Sequence, residues 1–209
     1  MNINKRAALF LMIVNIIYTI YGIGRFFYFR YIAVPDTGFR AARQLSIHSV
    51  WTIIPMILNF ILFAGLLWVL ITFKEKRWLR IVMMLLLGVK IIGVVGLDIF
   101  GIGLILSRQQ LFYIVIFFSF YLLNILLFLL LFVRNKAIRV YFRWFVATTL
   151  IANLSLRFGG RLYDDFGINW LFVYQDLLFQ LCFLVTLVLY IEVYNLSKQN
   201  VLPGTSEAV

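Results

Sequence analysis

The chain has 209 residues, of which 64% are hydrophobic and only 13% are charged, and its mean hydropathy is +1.01. Soluble domains average roughly 45–50% apolar and about 25% charged residues, so this composition excludes an ordinary soluble domain. The formal net charge of +11 would suit nucleic acid, but the basic residues cluster at the ends of apolar segments, which is typical of topology signals and lipid-headgroup contacts. We therefore expect the lipid bilayer, and no nucleic acid, as the partner of these cations.

Six apolar segments follow one another along the chain, and most are long enough to cross a bilayer as a helix of about 20 residues. In chain order they are Ala7–Tyr28, Val50–Phe73, Ile81–Leu106, Leu111–Val133, Trp144–Leu156 and Ile168–Ile191. The fifth is the weakest, because Arg143 and Arg157 bound its short charge-free stretch and must extend outward to the interface. The sequence predicts an all-α, polytopic membrane protein, with residues 1–196 as one bundle of six transmembrane helices and 197–209 as a polar, disordered tail.

Lys and Arg residues are divided unequally between the two sides of this predicted bundle. Eleven of the 19 flank the N-terminus, the second and fourth connections and the C-terminus, seven lie on the opposite side, and Lys90 is inside the membrane. Loops rich in Lys and Arg remain in the cytoplasm, so both termini are predicted to be cytoplasmic. Tryptophans near the predicted ends of the helices support the same boundaries. We expect a multi-pass protein of the cell (inner) membrane.

A few charged and amide side chains fall at membrane depth. A charge there costs roughly 2.5–3.5 kcal/mol on insertion scales, and therefore faces the bundle interior or a wet cavity. The candidate site residues are Arg25, Asn59, Lys90, Asp98, Asn153, Arg157 and Asp176. Two interpretations remain open: interhelical salt bridges that lock the bundle, or an outward-facing polar pocket for a small molecule or an ion.

Three other polar features have more local interpretations. Asn15 and Asn124 fall in the inner halves of their helices, where we expect interhelical hydrogen bonds worth about 0.6–2 kcal/mol. Gly159 and Gly160 lie between two arginines, in a region predicted to connect the last two helices. Such a pair is typical of a tight turn, and less often of a nest of N–H groups that holds an anion.

The sequence shows no recognisable catalytic motif for chemistry inside the membrane. Cys182 and His48 are the only residues of their types, so no internal disulfide, protein-only zinc site or histidine pair for haem is predicted, and we expect neither metal nor cofactor. An enzyme that acts on a lipid, with Asp98 or Asp176 as base, is the least favoured hypothesis. The leading one is binding or transport of a small solute or ion. The alternative is a non-catalytic subunit of a membrane complex or an oligomeric channel, partnered by another membrane protein or by copies of itself.

Overall fold

The computed structural model describes residues 3–27, 50–94, 109–166 and 170–199, and this part of the chain is all-helical, as predicted. The six helices are α1 (Lys5–Phe27), α2 (Val50–Thr72), α3 (Arg77–Val94), α4 (Gln109–Leu129), α5 (Lys136–Phe166) and α6 (Trp170–Gln199). A 3₁₀ turn, Leu130–Phe132, follows α4 directly. Each helix overlaps one of the apolar segments predicted from the sequence.

Three of the described helices are long and apolar enough to cross a membrane, which indicates a membrane location. The stretches concerned are Lys5–Gly24 in α1, Ile54–Thr72 in α2 and Gln180–Lys198 in α6. A shorter apolar stretch, Phe120–Phe132, covers the end of α4 and the 3₁₀ turn. Helix α3 carries Arg77, Arg80 and Lys90 within 18 residues, and these charges lower its apolar character.

The fifth helix differs most from the sequence prediction. Helix α5 spans 31 residues, about 46 Å at 1.5 Å per residue, whereas the predicted segment covered only Trp144–Leu156. The extension at its start contains Lys136, Arg139 and Arg143, which are residue types that form helices well. Gly159 and Gly160 therefore lie within a helix and not in a turn. Their N–H groups belong to the helical hydrogen-bond ladder, so neither the turn nor the anion-binding nest forms.

The C-terminal boundary also differs from the prediction. Helix α6 continues through Gln199, so the first residues of the predicted tail are helical. The Ser197 hydroxyl donates a hydrogen bond to the Tyr194 carbonyl oxygen at 2.5 Å, which keeps this polar side chain within the last turns of the helix. The rest of the predicted tail, 200–209, lies outside the described residues.

The helices pack in a ring that follows chain order and closes where α1 meets α6. The most extensive packing joins α1 to α6 and α5 to α6, whereas α5 meets the α4 segment largely through the 3₁₀ turn. Helices α1 and α6 are antiparallel. Lys5 Nζ lies 5.6 Å from the Tyr194 ring centroid, and further along α1 the Tyr18 ring packs against Phe183 with centroids 4.4 Å apart.

Large parts of the described surface are apolar and several interior side chains are polar, which is unusual for a soluble bundle. Between Leu9 and Ile23 of α1 the exposed residues are all large hydrophobics: Leu9, Phe10, Ile13, Ile16, Ile17, Ile20 and Ile23. Buried polar residues include Asn15, Thr149, Asn153, Gln180 and Thr186. Exposed apolar faces of this size are stable against lipid and not against water, so the pattern agrees with a membrane location.

A tight turn joins α2 to α3 and orients one carboxylate. Lys74 has a φ of 52°, the left-handed conformation that commonly ends a helix. The Lys74 N–H donates to the Ile71 carbonyl and the Glu75 N–H to the Leu70 carbonyl, both at 3.0 Å, so the end of α2 is capped. This geometry places Glu75 against the start of α5.

Glu75 holds the turn that precedes α5. Its Oε1 accepts hydrogen bonds from the backbone N–H groups of Arg134 at 3.1 Å and Asn135 at 2.6 Å, and its side chain is buried. Asn135 in turn caps α5, since its Oδ1 accepts from the Ala137 N–H at 3.0 Å. A carboxylate at a helix N-terminus is favourable because the unpaired N–H groups there carry partial positive charge.

Candidate functional site

A polar cluster of Tyr18, Asn59 and Lys90 joins three helices inside the bundle. The Lys90 ammonium donates a hydrogen bond to Asn59 Oδ1 at 2.8 Å, and Asn59 Nδ2 donates to the Tyr18 hydroxyl at 3.3 Å. The Asn59 amide on α2 thus accepts a hydrogen bond from Lys90 on α3 and donates one to Tyr18 on α1. Asn59 and Lys90, two of the site residues predicted from the sequence, are in direct contact.

The three residues of the cluster share one depth in the bundle. Each lies thirteen residues from the same end of its helix: Tyr18 from Lys5, Asn59 from Thr72, and Lys90 from Arg77. At 1.5 Å per residue this depth is about 20 Å. The hydrocarbon core is about 30 Å thick, so the cluster lies deep within the apolar layer if these helices span it.

The Phe63 ring forms one wall of the cluster. Lys90 Nζ lies 3.7 Å from the centroid of this ring, a cation–π geometry. Phe63 makes edge-on contacts with Phe145 at 5.7 Å and with Phe183 at 6.3 Å, and all three rings are buried. The rings fix the position of the ammonium and exclude water from that side.

Among the residues whose side chains the structure describes, no carboxylate balances the charge of Lys90. Its described contacts are a hydrogen bond to the Asn59 amide and a cation–π contact with the Phe63 ring. An ammonium carries three N–H donors, and Asn59 accepts from it through a single oxygen. The arrangement therefore offers donors and a positive charge to an acceptor group inside the bundle.

Asn153, another predicted site residue, belongs to a different contact. Its Nδ2 donates to Asn124 Oδ1 at 2.9 Å, and Asn124 Nδ2 donates to the Phe120 carbonyl one turn earlier in its own helix. The sequence interpretation placed Asn124 in the inner half of its helix and Asn153 among the candidate residues of an outward-facing pocket. They lie at one level because α5 begins at Lys136 and extends to Phe166, which puts Asn153 near the middle of the helix.

Asn15 makes the interhelical hydrogen bond predicted for it. Its Nδ2 donates to Thr186 Oγ1 at 2.5 Å, across the α1–α6 interface, and both side chains are buried. Further along the same interface, the Gln180 amide lies directly against Gly22, where a Cβ atom would overlap it. These contacts align α1 with α6 and so fix the position of Tyr18.

The remaining predicted site residues are not part of the described site. Asp98 lies outside the described residues. Arg25, Arg157 and Asp176 lie on α1, α5 and α6, but their side chains are outside the described part. The predicted interhelical salt bridges within the set of Arg25, Lys90, Arg157, Asp98 and Asp176 therefore stay a prediction.

Tyr18 and Phe63 were not assigned to the site from the sequence. A weak signal for Phe63 was available, because it follows Asn59 by one helical turn and so lies on the same face of α2. Tyr18 gave no comparable signal, since aromatic residues are abundant on α1. The fold brings these residues together through the rotation of each helix about its axis.

The described residues contain no group of three or more His, Cys, Asp or Glu side chains placed to hold a metal ion. The groups at the Lys90 cluster are suited to hydrogen bonding and charge recognition, not to metal ligation. Comparison of the chain with protein-family models, curated proteins and solved structures found no match.

Proposed function

We propose that the chain is a six-span protein of the cell (inner) membrane, with both termini in the cytoplasm. The three apolar helices support the membrane location, and the ring of six helices supports a fold in which all of them span. Cations support the orientation because they gather at one end of the bundle, here named the basic end. Its cationic residues are Lys5, Arg6, Lys74, Lys76, Arg77, Arg80, Arg134, Lys136, Arg139, Arg143 and Lys198.

The function of the bundle is to bind or transport a small solute or ion at the cluster of Tyr18, Asn59 and Lys90. One observation carries this proposal: Lys90 donates to Asn59 Oδ1 at 2.8 Å, about 20 Å into the bundle, with no carboxylate partner among the described side chains. Buried charges are costly unless paired, so an ammonium at this depth favours a ligand that brings negative charge or strong acceptor atoms. A small anion or a carboxylate-bearing solute has this chemistry.

The competing interpretation is a structural lock, in which Lys90 pairs with Asp176 of α6. The two interpretations differ in what removal of the charge does. A ligand site loses binding but keeps its fold, because Met fills the volume of the lysine stem against Phe63. A lock leaves an uncompensated carboxylate in the membrane and loses stability, typically by about 3–5 kcal/mol.

The test compares Lys90→Met with Lys136→Met, an exposed cation at the basic end. Thermal unfolding of the detergent-purified proteins is measured with chloride, phosphate and short carboxylates added in turn, and native mass spectrometry detects retained small molecules. We expect one of these anions to raise the melting temperature of the wild type and of Lys136→Met, with no shift for Lys90→Met.

The opposite result would show that Lys90 forms a structural ion pair. If Lys90→Met is strongly destabilised without any anion, and Asp176→Asn in the same chain restores the melting temperature, Lys90 is an ion-pair partner. The proposal of a ligand site is then wrong.

A further inference from the structure

Two connections of the chain meet at the basic end, one between α2 and α3 and the other between the 3₁₀ turn and α5. Glu75 links them, because its Oε1 accepts from the backbone N–H groups of Arg134 at 3.1 Å and Asn135 at 2.6 Å. The rings of Trp78 and Phe132 form a second contact across the same junction, with centroids 6.4 Å apart. The exposed cations on these connections and on the first residues of α3 and α5 are here named the turn surface: Lys74, Lys76, Arg77, Arg134 and Lys136.

The positive charge of the turn surface is largely uncompensated. Residues 74–77 and 133–136 contain five cations and a single carboxylate, Glu75. The Glu75 side chain is buried, and its Oε1 already accepts from two backbone N–H groups. Helices α3 and α5 both begin here, and the N–H groups at a helix N-terminus carry partial positive charge. The turn surface therefore attracts an anion that approaches from outside the protein.

Exposed apolar side chains continue from the turn surface along the outside of α3 and α4. Phe132 is 55% exposed, and its ring lies edge-on to the exposed ring of Phe128, with centroids 6.4 Å apart. On α3 the exposed residues Trp78, Ile81 and Leu85 follow one another at intervals of three and four, so they share one face. These five residues are here named the apolar strip, and the contact of Trp78 with Phe132 joins its two halves.

The apolar strip indicates the depth of the turn surface in the bilayer. Exposed tryptophans of membrane proteins lie at the boundary between hydrocarbon and headgroups. Arg77 directly precedes Trp78, and Arg134 follows Phe132 by two residues. The cations thus lie at the level of the headgroups, while the strip extends from there along helices that face hydrocarbon.

We infer that the turn surface binds the headgroup of an anionic phospholipid, whose acyl chains lie along the apolar strip. Lysine and arginine bind phosphate through charge-assisted hydrogen bonds, and clusters of cations beside transmembrane helices attract anionic lipids. A soluble anion would contact the cations but would gain nothing from the strip. The inference does not depend on the ligand proposed for Lys90, because Arg77 and Lys90 are about 20 Å apart along α3.

The experiment measures the melting temperature of the full chain in detergent with added phosphatidylglycerol, phosphatidylcholine, inorganic phosphate or a polyglutamate peptide. The test variant is Arg77→Gln with Arg134→Gln, which keeps the hydrogen bonds of Glu75 because their donors are backbone N–H groups. The control, Lys5→Gln with Arg6→Gln, removes two exposed cations from the start of α1 at the same end. We expect phosphatidylglycerol to stabilise the wild type and the control more than phosphatidylcholine does, and the test variant to lose at least half of that difference.

Four outcomes overturn the inference. The test variant retains the full phosphatidylglycerol effect, or the control loses as much as the test variant, which indicates diffuse attraction to the whole basic end. Inorganic phosphate or polyglutamate stabilises the wild type as well as phosphatidylglycerol does, which indicates a soluble anion or an acidic protein as the partner. If the test variant does not fold, native mass spectrometry of the wild type decides, and equal retention of the two lipids contradicts the site.

Discussion

Glu75 is a carboxylate that binds backbone N–H groups although lysines and arginines surround it in sequence. It lies between Lys74 and Lys76, yet its Oε1 accepts from the N–H groups of Arg134 and Asn135. The side chain is 5% exposed, and the two hydrogen bonds are partly buried. One residue thereby fastens the α2–α3 turn to the start of α5.

Replacing Glu75 tests how much these two hydrogen bonds contribute to the stability of the protein. We expect Glu75→Ala to lower the free energy of unfolding by about 2 kcal/mol, because two partly buried N–H groups lose a charged acceptor. Glu192→Ala, which removes the same charge from a partly buried position near the same end, should change it by less than about 0.5 kcal/mol. Chemical denaturation in detergent measures both values. Equal losses in the two variants would show that net charge, and not the hydrogen bonds of Glu75, is the cause.

Individual residues of the candidate site were predictable only in part. Lys90 stands out in the sequence because a charge inside an apolar segment is costly, and counting residues from the helix ends gives Asn59 the same depth. Depth does not fix rotation about the helix axis. The contacts of Lys90 with the Phe63 ring and of Asn59 with Tyr18 depend on that rotation, so no residue count could assign them.

At the scale of helices, Gly65 allows α2 to approach α1 and α6 closely. A Cβ atom at this position would lie 2.6 Å from a methyl carbon of Leu11 and 2.6 Å from the Tyr190 hydroxyl. Tyr190 is buried, and its hydroxyl donates to the Leu62 carbonyl oxygen at 2.7 Å. Neither neighbour moves away without loss of packing or of this hydrogen bond. Small residues at such contacts are the usual means of close helix packing in lipid.

We expect Gly65→Ala to destabilise the protein by about 1–3 kcal/mol, the usual cost of overpacking a buried contact. Gly88→Ala is the matched control, because a Cβ there meets no atom within 4 Å and alanine favours the helix. The control should be neutral or slightly stabilising. Thermal unfolding of both variants in the same detergent is the measurement, and a loss of similar size in Gly88→Ala would contradict the close-approach explanation.

The elements themselves were predicted with uneven success. The described ends of α1, α2 and α4 fall within a few residues of the apolar segments, because charged or polar residues flank each segment sharply. The prediction for α5 was too short at both ends. Hydropathy shows where a helix is apolar, but not where it ends. A helix can continue through Arg143, Arg157 and the paired glycines once neighbouring helices pack against it.

On the scale of the whole molecule, positive charge is concentrated at one end of the bundle. The turn held by Glu75, the start of α1 and the end of α6 all belong to it, and Lys5 and Lys198 both approach the ring of Tyr194. Charge asymmetry of this kind supports the proposed cytoplasmic side, since cationic loops resist translocation. The six-span topology follows if every helix of the ring crosses the bilayer.

Single cysteines test this topology in intact cells. Cys182 is the sole native cysteine, so Cys182→Ser provides a background without thiols. Lys5→Cys, Lys76→Cys and Lys198→Cys should resist a membrane-impermeant maleimide, while Thr37→Cys, in the predicted first outer loop, should react. Permeabilised cells serve as the control for reactivity. Labelling of Lys76→Cys from outside, with Lys5→Cys protected, would contradict the proposed arrangement.

The closure of the ring by α1 and α6 has a consequence for biogenesis. Among the described helices α1 comes first in the chain and α6 last, so the most extensive helix contact cannot form until α6 has been synthesised. Until then the Asn15 amide lacks its acceptor on Thr186. The ring therefore stays open while the first five helices are synthesised, and a truncation before Trp170 leaves it open.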